Sequence, residues 1–261
     1  MLETAHLKPP RYALLDELRG VAIVLMVVYH AFYSLGYVFG SGTGRGLFAG
    51  MGPVQPFIAG TFIFLCGVCC RFSRSNLKRG MKLAGAAAVV TLATLAMTLF
   101  GVDEVIWFGV LHFLACAVML FAMAQKAIGA KMAQKAIGAM SFQKLSCKIN
   151  IPAWVQAVIL MALFFVFTWW RPFPRTDFFI LYALGFPSST ISSADYFPLI
   201  PWMFLFFAGT VVGTYGKQGR FPGWMEKSRI PPLAWLGRHS LLIYLLHQPV
   251  LFGVFYLLGA L

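Results

Sequence analysis

The chain has 261 residues, of which 60% are hydrophobic and only 11% charged, with a mean hydropathy of +0.78. So little charge cannot cover the surface of a water-soluble domain of this size, which excludes a soluble globular protein and indicates an integral membrane protein. The formal charge of +13 follows from loop topology and attraction to anionic lipid, and calls for no nucleic-acid partner.

Apolar stretches of about 18 or more residues recur, each long enough to cross a hydrocarbon core about 30 Å thick. In chain order they predict helices at 18–39, 53–71, 81–100, 105–123, 153–170, 198–215 and 239–260, a single transmembrane domain over residues 1–261. The first is too long for the central region of a signal peptide and lacks a small-residue cleavage site after it, so it reads as a retained span. It opens with Asp16 and Arg19, three apart on one helix face, the spacing of a local ion pair. About 16 Å further along lies His30. Tyr33, Ser34 and Tyr37 follow at i+3, i+4 and i+7, so the imidazole belongs to a polar stripe that opens outward. An ionisable side chain inside a bilayer is costly and marks a functional position by default. A neutral imidazole there is a proton acceptor, which a general base requires.

The second stretch ends in "CGVCC", with Cys66, Cys69 and Cys70 at i, i+3 and i+4. With no histidine beside them and no second cysteine pair, packing is the expected role, and neither a metal site nor a disulfide is predicted. The fourth helix carries His112, about 10 Å inward from its outer end. A cytoplasmic connector, 124–150, follows and holds most of a tandem copy, "MAQKAIGAK" at 123–131 and "MAQKAIGAM" at 132–140. Nine residues turn a helix by about 900°, so the copies face opposite ways and share no apolar stripe. "DFFILYALGFP" at 177–187 is too short to span and is expected as a re-entrant or interfacial piece.

Asp195 lies at the outer mouth of the sixth helix, where Trp202 also sits. Gly209 and Gly213 form a small-residue packing motif of the kind through which membrane bundles often pair, which makes a homodimer compatible with the sequence. The last helix repeats the polar pattern with Ser240, Tyr244, His247 and Gln248, and Pro249 should bend it. Placing the N-terminus in the cytoplasm and the C-terminus outside puts every Lys and Arg except Arg45, Arg171 and Arg175 on the inner side, as the positive-inside bias demands.

"LLDELRGVAIVLMVVYH" (14–30) resembles the first-helix signature of membrane acyltransferases, in which an Arg-Gly pair opens the helix and a His comes ten residues after the Gly. "IWFGVLHF" (106–113), "DYFPLIPWMFLFFAGTVVG" (195–213) and "LGRHSLLIYLLHQPVL" (236–251) are similar to small bacterial proteins related to the heparan-α-glucosaminide N-acetyltransferase catalytic domain. The resemblance implies transfer of an acetyl group from cytoplasmic acetyl-CoA to an amine or hydroxyl, often of a sugar or glycoconjugate, on the far side of the cell membrane of a bacterium. It implies His30 as general base or acyl carrier, with His112 or Tyr33 orienting it or stabilising the oxyanion. Asp195, Tyr196, Trp202 and His247 would bind the acceptor. Arg19, Arg238, Arg71 and Lys82 would meet the CoA phosphates on the inner side. The chain departs from the lysosomal relatives, which carry asparagine at the position of His30 and a histidine in the lumenal segment that follows; residues 34–52 here contain none. The rival reading is a proton-coupled transporter or channel with a relay of His30, His112 and His247; a non-enzymatic lipid-binding scaffold is a third.

Overall fold

Apolar runs punctuated by Gly, Pro and Ser fold into helices in the computed structural model, which describes residues 11–99, 101, 105–127, 151–170, 173–193 and 195–258. The order is α1 (Ala13–Tyr33), α2 (Gly42–Met51), α3 (Gln55–Cys70), α4 (Asn76–Thr98), α5 (Val110–Ala127), α6 (Ala153–Trp169), α7 (Phe179–Leu184), α8 (Leu199–Lys217), α9 (Pro231–Arg238) and α10 (Ser240–Leu257). α1 continues through a π-helical turn, Ser34–Val38. Among the described residues, six helical segments are long and apolar enough to cross a membrane: 13–38, 42–70, 76–98, 110–127, 199–217 and 240–257. α6, the remaining predicted span, is apolar but has 17 residues, about 26 Å at helical rise, at the short end of what a bilayer accepts. The protein is an all-α multi-pass membrane protein.

Several boundaries differ from the sequence expectation, each for a local reason. The helix expected from 105 begins at Val110, because the chain before it is extended: the Ile106 amide donates to Thr94 Oγ1 at 3.1 Å, and Phe108 pairs in a parallel bridge with Tyr196. Ile200 keeps extended dihedrals (φ −99°, ψ 125°), so regular helix in α8 starts at Pro201. The 177–187 segment holds only the six-residue α7. The Asp177 carboxylate accepts hydroxyls from Thr190, Ser189 and Ser188, which holds its pKa below the usual carboxylate value. α10 runs through Pro249 to Leu257. The duplicated connector lies outside the described residues from 128 onward.

The chain divides into two compact units, Met1–Phe62 with Lys217–Leu261, and Ile63–Gly216. In the first, Ile23 and Met26 of α1 and Ile58 of α3 form a buried cluster against Met51, Val54, Leu236, Ile243 and Tyr244. α1 and α9 meet backbone to backbone. A Cβ on Gly20 would fall on the Leu233 carbonyl oxygen, and one on Gly237 on the carbonyl oxygen of Asp16. Buried Glu17 fixes the start of α9: one carboxylate oxygen accepts the Ser228 hydroxyl (2.7 Å) and the backbone amides of Arg229 (2.6 Å) and Ile230 (2.8 Å). Ser41 caps α2 by accepting the Gly44 amide, and Gly36 and Gly44 let α2 approach the π turn.

In the second unit, α3 and α8 pack through small residues. A Cβ on Gly209 would meet the Phe64 carbonyl oxygen, and one on Gly213 the Val68 carbonyl oxygen at 2.6 Å. The glycines that suggested pairing between copies are therefore used inside the chain. Leu160 of α6 closes against Ala208 and Val211 of α8. α4 and α5 approach at Gly80, where a Cβ would fall on the Met119 side chain, and Asn76 donates to Gln125 Oε1 at 3.2 Å.

Candidate active site

Within the first unit, α1 and α10 bring their polar stripes together. Ser34 Oγ donates to Gln248 Oε1 at 3.2 Å, and the same amide's Nε2 lies 3.0 Å from His30 Nδ1. The rings of His30 and His247 are 4.8 Å apart, centroid to centroid, at 56°. His247 Nδ1 lies 2.6 Å from the Tyr244 carbonyl oxygen, while its Nε2 is buried with no hydrogen-bond partner. The site begins where α1 changes to π geometry, a local irregularity that is frequent at functional positions. Here it accompanies the turn from which Ser34 reaches Gln248. Tyr33 stands beside the cluster in an aromatic wall. It stacks on Tyr37, and Tyr29, Tyr33 and Tyr37 all contact Phe48 of α2 at 4.8–5.4 Å.

The resemblance assigned His247 to acceptor binding and the rival reading placed it in a proton relay, while sequence spacing put it and His30 on polar stripes. It gave no role to Ser34 or Gln248, although Ser34 is one turn from His30 and Gln248 adjoins His247. Glu17 was missed altogether, since one carboxylate near a helix start looks like a solvated charge.

The remaining first-unit candidates lie toward the opposite end of α1 and on α9. Arg19 is half-buried and donates to Asp16 at 3.2 Å, and Asp16 also takes Arg11 at 2.8 Å, so the predicted ion pair forms. Arg238 is exposed in the last turn of α9.

In the second unit, His112 has both ring nitrogens engaged. Its Nδ1 accepts the Gly109 amide at 3.2 Å, which leaves the proton on Nε2, 3.0 Å from Thr91 Oγ1. Thr91 in turn donates to the Ile106 carbonyl at 2.8 Å, so the ring ties α4 to the start of α5 and has no open lone pair. Replacing His112 with alanine is expected to leave the Gly109 amide and Thr91 short of a partner and to cost about 1–3 kcal/mol. Thermal unfolding in detergent reads this as a lowered Tm; an unchanged Tm would show that the ring holds nothing together.

Asp195 Oδ2 accepts the Val110 amide at 3.0 Å, at the head of α5, where a carboxylate suits the free N–H groups. The Tyr196 hydroxyl donates to the Tyr182 carbonyl at 2.6 Å, and its ring stacks on Tyr182. Trp202 packs between Phe164 and Phe197. Lys82 is exposed on α4. Arg71 is buried, 3% exposed: Nε donates to the Thr210 carbonyl at 2.9 Å and the guanidinium lies over Phe121, while both terminal nitrogens lack partners. The Cys66 and Cys70 sulfurs accept from Arg79 of α4, at 3.3 and 3.8 Å.

No curated protein and no solved structure matches the chain. The family model described as "Heparan-alpha-glucosaminide N-acetyltransferase, catalytic" matches residues 11–249, nearly the whole length and both stripes of the imidazole cluster. The chain therefore belongs to the heparan-alpha-glucosaminide N-acetyltransferase catalytic family, and it is a membrane-embedded acetyltransferase.

Proposed function

We propose that the protein moves an acetyl group from cytoplasmic acetyl-CoA to an amine or hydroxyl of a sugar or glycoconjugate on the outer side, with its N-terminus in the cytoplasm. The observation that carries this reading is the His30–His247 pair, oriented by Ser34 and Gln248 within a span. Membrane helices seldom retain such groups without chemical use. Attack of an amine or hydroxyl on a thioester releases a proton that an imidazole can take and return to the departing thiolate. His112, with both nitrogens occupied, is a poor member of a proton relay, which weakens the transporter alternative.

For the donor, Arg71 has the strongest support among the four predicted cations. A buried guanidinium with two unpaired nitrogens is costly, and a phosphate oxygen would satisfy them both in charge and in fork geometry. Arg19 is already paired to Asp16, and Arg238 and Lys82 are exposed.

Micromolar acetyl-CoA is expected to raise the Tm of the purified protein. Arg71→Met should keep or raise the Tm of the unliganded protein while removing most of that increase, because it deletes an uncompensated buried charge and an anion partner together. An undiminished increase in the variant would remove Arg71 from the donor site. Ion or solute flux in vesicles without any CoA would argue against acetyl transfer.

A further inference from the structure

The hydrogen bonds around the two imidazoles assign their protons. A Gln amide nitrogen can only donate, and Gln248 Oε1 is already directed to the buried Ser34 hydroxyl. With the Gln248 amide in this orientation His30 Nδ1 is the acceptor, and the neutral ring carries its hydrogen on Nε2, for which the described residues offer no partner. The reverse holds for His247. A carbonyl oxygen can only accept, so Nδ1 holds the hydrogen donated to Tyr244 and the lone pair is on Nε2. That nitrogen is unpartnered in a residue 92% buried by its 8% exposure. The pair thus presents one open donor and one open acceptor, on rings 4.8 Å apart.

Resting on the acetyl-transfer reading above, we infer that His247 is the general base and that His30 is the donor to the thioester carbonyl oxygen, its tautomer set by Ser34 and Gln248. The acceptor's nitrogen or oxygen attacks the carbonyl carbon, and its proton passes to His247 Nε2. The carbonyl π electrons move to oxygen, which receives the hydrogen bond from His30 Nε2–H. Collapse restores the C=O bond and breaks the C–S bond, and the CoA thiolate takes the proton back from His247. His30 stays neutral throughout. That division suits the spacing, since two imidazolium ions at this distance would repel one another. His30 and His247 are catalytic residues in this scheme; Ser34 and Gln248 are positioning residues.

The test uses the full chain in nanodiscs. ¹⁵N-histidine NMR, with His30 and His247 signals identified by single substitution, is expected to show the Nε2–H form for His30 and the Nδ1–H form for His247. Finding either ring in the opposite form overturns the assignment, whether or not a productive acceptor is known. With amino sugars as acceptors and CoA thiol release as the readout, His247→Gln should lower kcat about 1,000-fold, with little change in KM for acetyl-CoA. His30→Gln, whose amide N–H still donates, should stay within about 10-fold of wild type, while His30→Leu falls by about 100-fold or more. Gln248→Leu should leave acetyl-CoA protection intact, lower kcat and blur the His30 tautomer, a signature that loss of packing would not give. The opposite order, with His30→Gln inactive and His247→Gln active, sinks the proposal. Absence of CoA release by wild type with every acceptor would instead count against acetyl transfer itself, and the nitrogen signals would still decide which ring donates.

Discussion

His30→Ala is expected to lower kcat for acetyl transfer about 100- to 1,000-fold and to leave protection by acetyl-CoA unchanged. The reason is geometric. His30 touches the chain through Gln248 and through rings, so the substitution removes the proposed donor to the thioester carbonyl and no helix contact of comparable weight. The cations proposed for the CoA phosphates are other residues. CoA thiol release and the acetyl-CoA-induced Tm shift, measured on the same preparation, separate the two functions. Wild-type turnover in the variant would remove His30 from the mechanism, and a lost Tm shift would move it into the donor site.

Gly237→Ala is expected to be the most damaging single-methyl change for stability. Alanine favours helix over glycine by about 1 kcal/mol, so propensity alone predicts a gain in α9. The added Cβ would nevertheless fall on the Asp16 carbonyl oxygen, a backbone atom inside α1 that no rotamer change can move. Separating α1 from α9 should cost about 3 kcal/mol. It would also disturb Glu17, whose carboxylate holds the amides at the start of α9. Gly253→Ala, in α10 with open space around its Cβ position, is the control and should not lower the Tm. Equal effects at the two sites would mean that α1 and α9 do not pack through glycine. Gly20 meets α9 in the same manner, at the Leu233 carbonyl. Both glycines of the Arg-Gly and Gly-Arg pairs in the signature segments thus have a steric reason for their identity.

Much of the membrane architecture was legible because the bilayer imposes a simple rule: a span needs enough apolar residues, whatever it packs against. Predicted and observed helices coincide within a few residues at 153–169 and 240–257. They part at Val110, where a Thr94 hydroxyl and the Tyr196 strand bridge capture the chain first. α2 and α9 went unseen because they are short, and for α9 the contacts that place it lie far along the sequence, at Glu17 and Gly20.

The sequence by itself determined that this is a helical membrane protein of the acetyltransferase family, and it singled out His30, His112 and His247 as buried ionisable groups that demand an account. Spacing along one helix could say which residues share a face, but not what stands opposite. Only the tertiary structure decided that Gln248 meets His30, that Gly109 and Thr91 occupy both nitrogens of His112, and that His247 keeps a lone pair open. A histidine's chemistry depends on which nitrogen holds its hydrogen, and that is fixed by neighbours as many as 218 positions away.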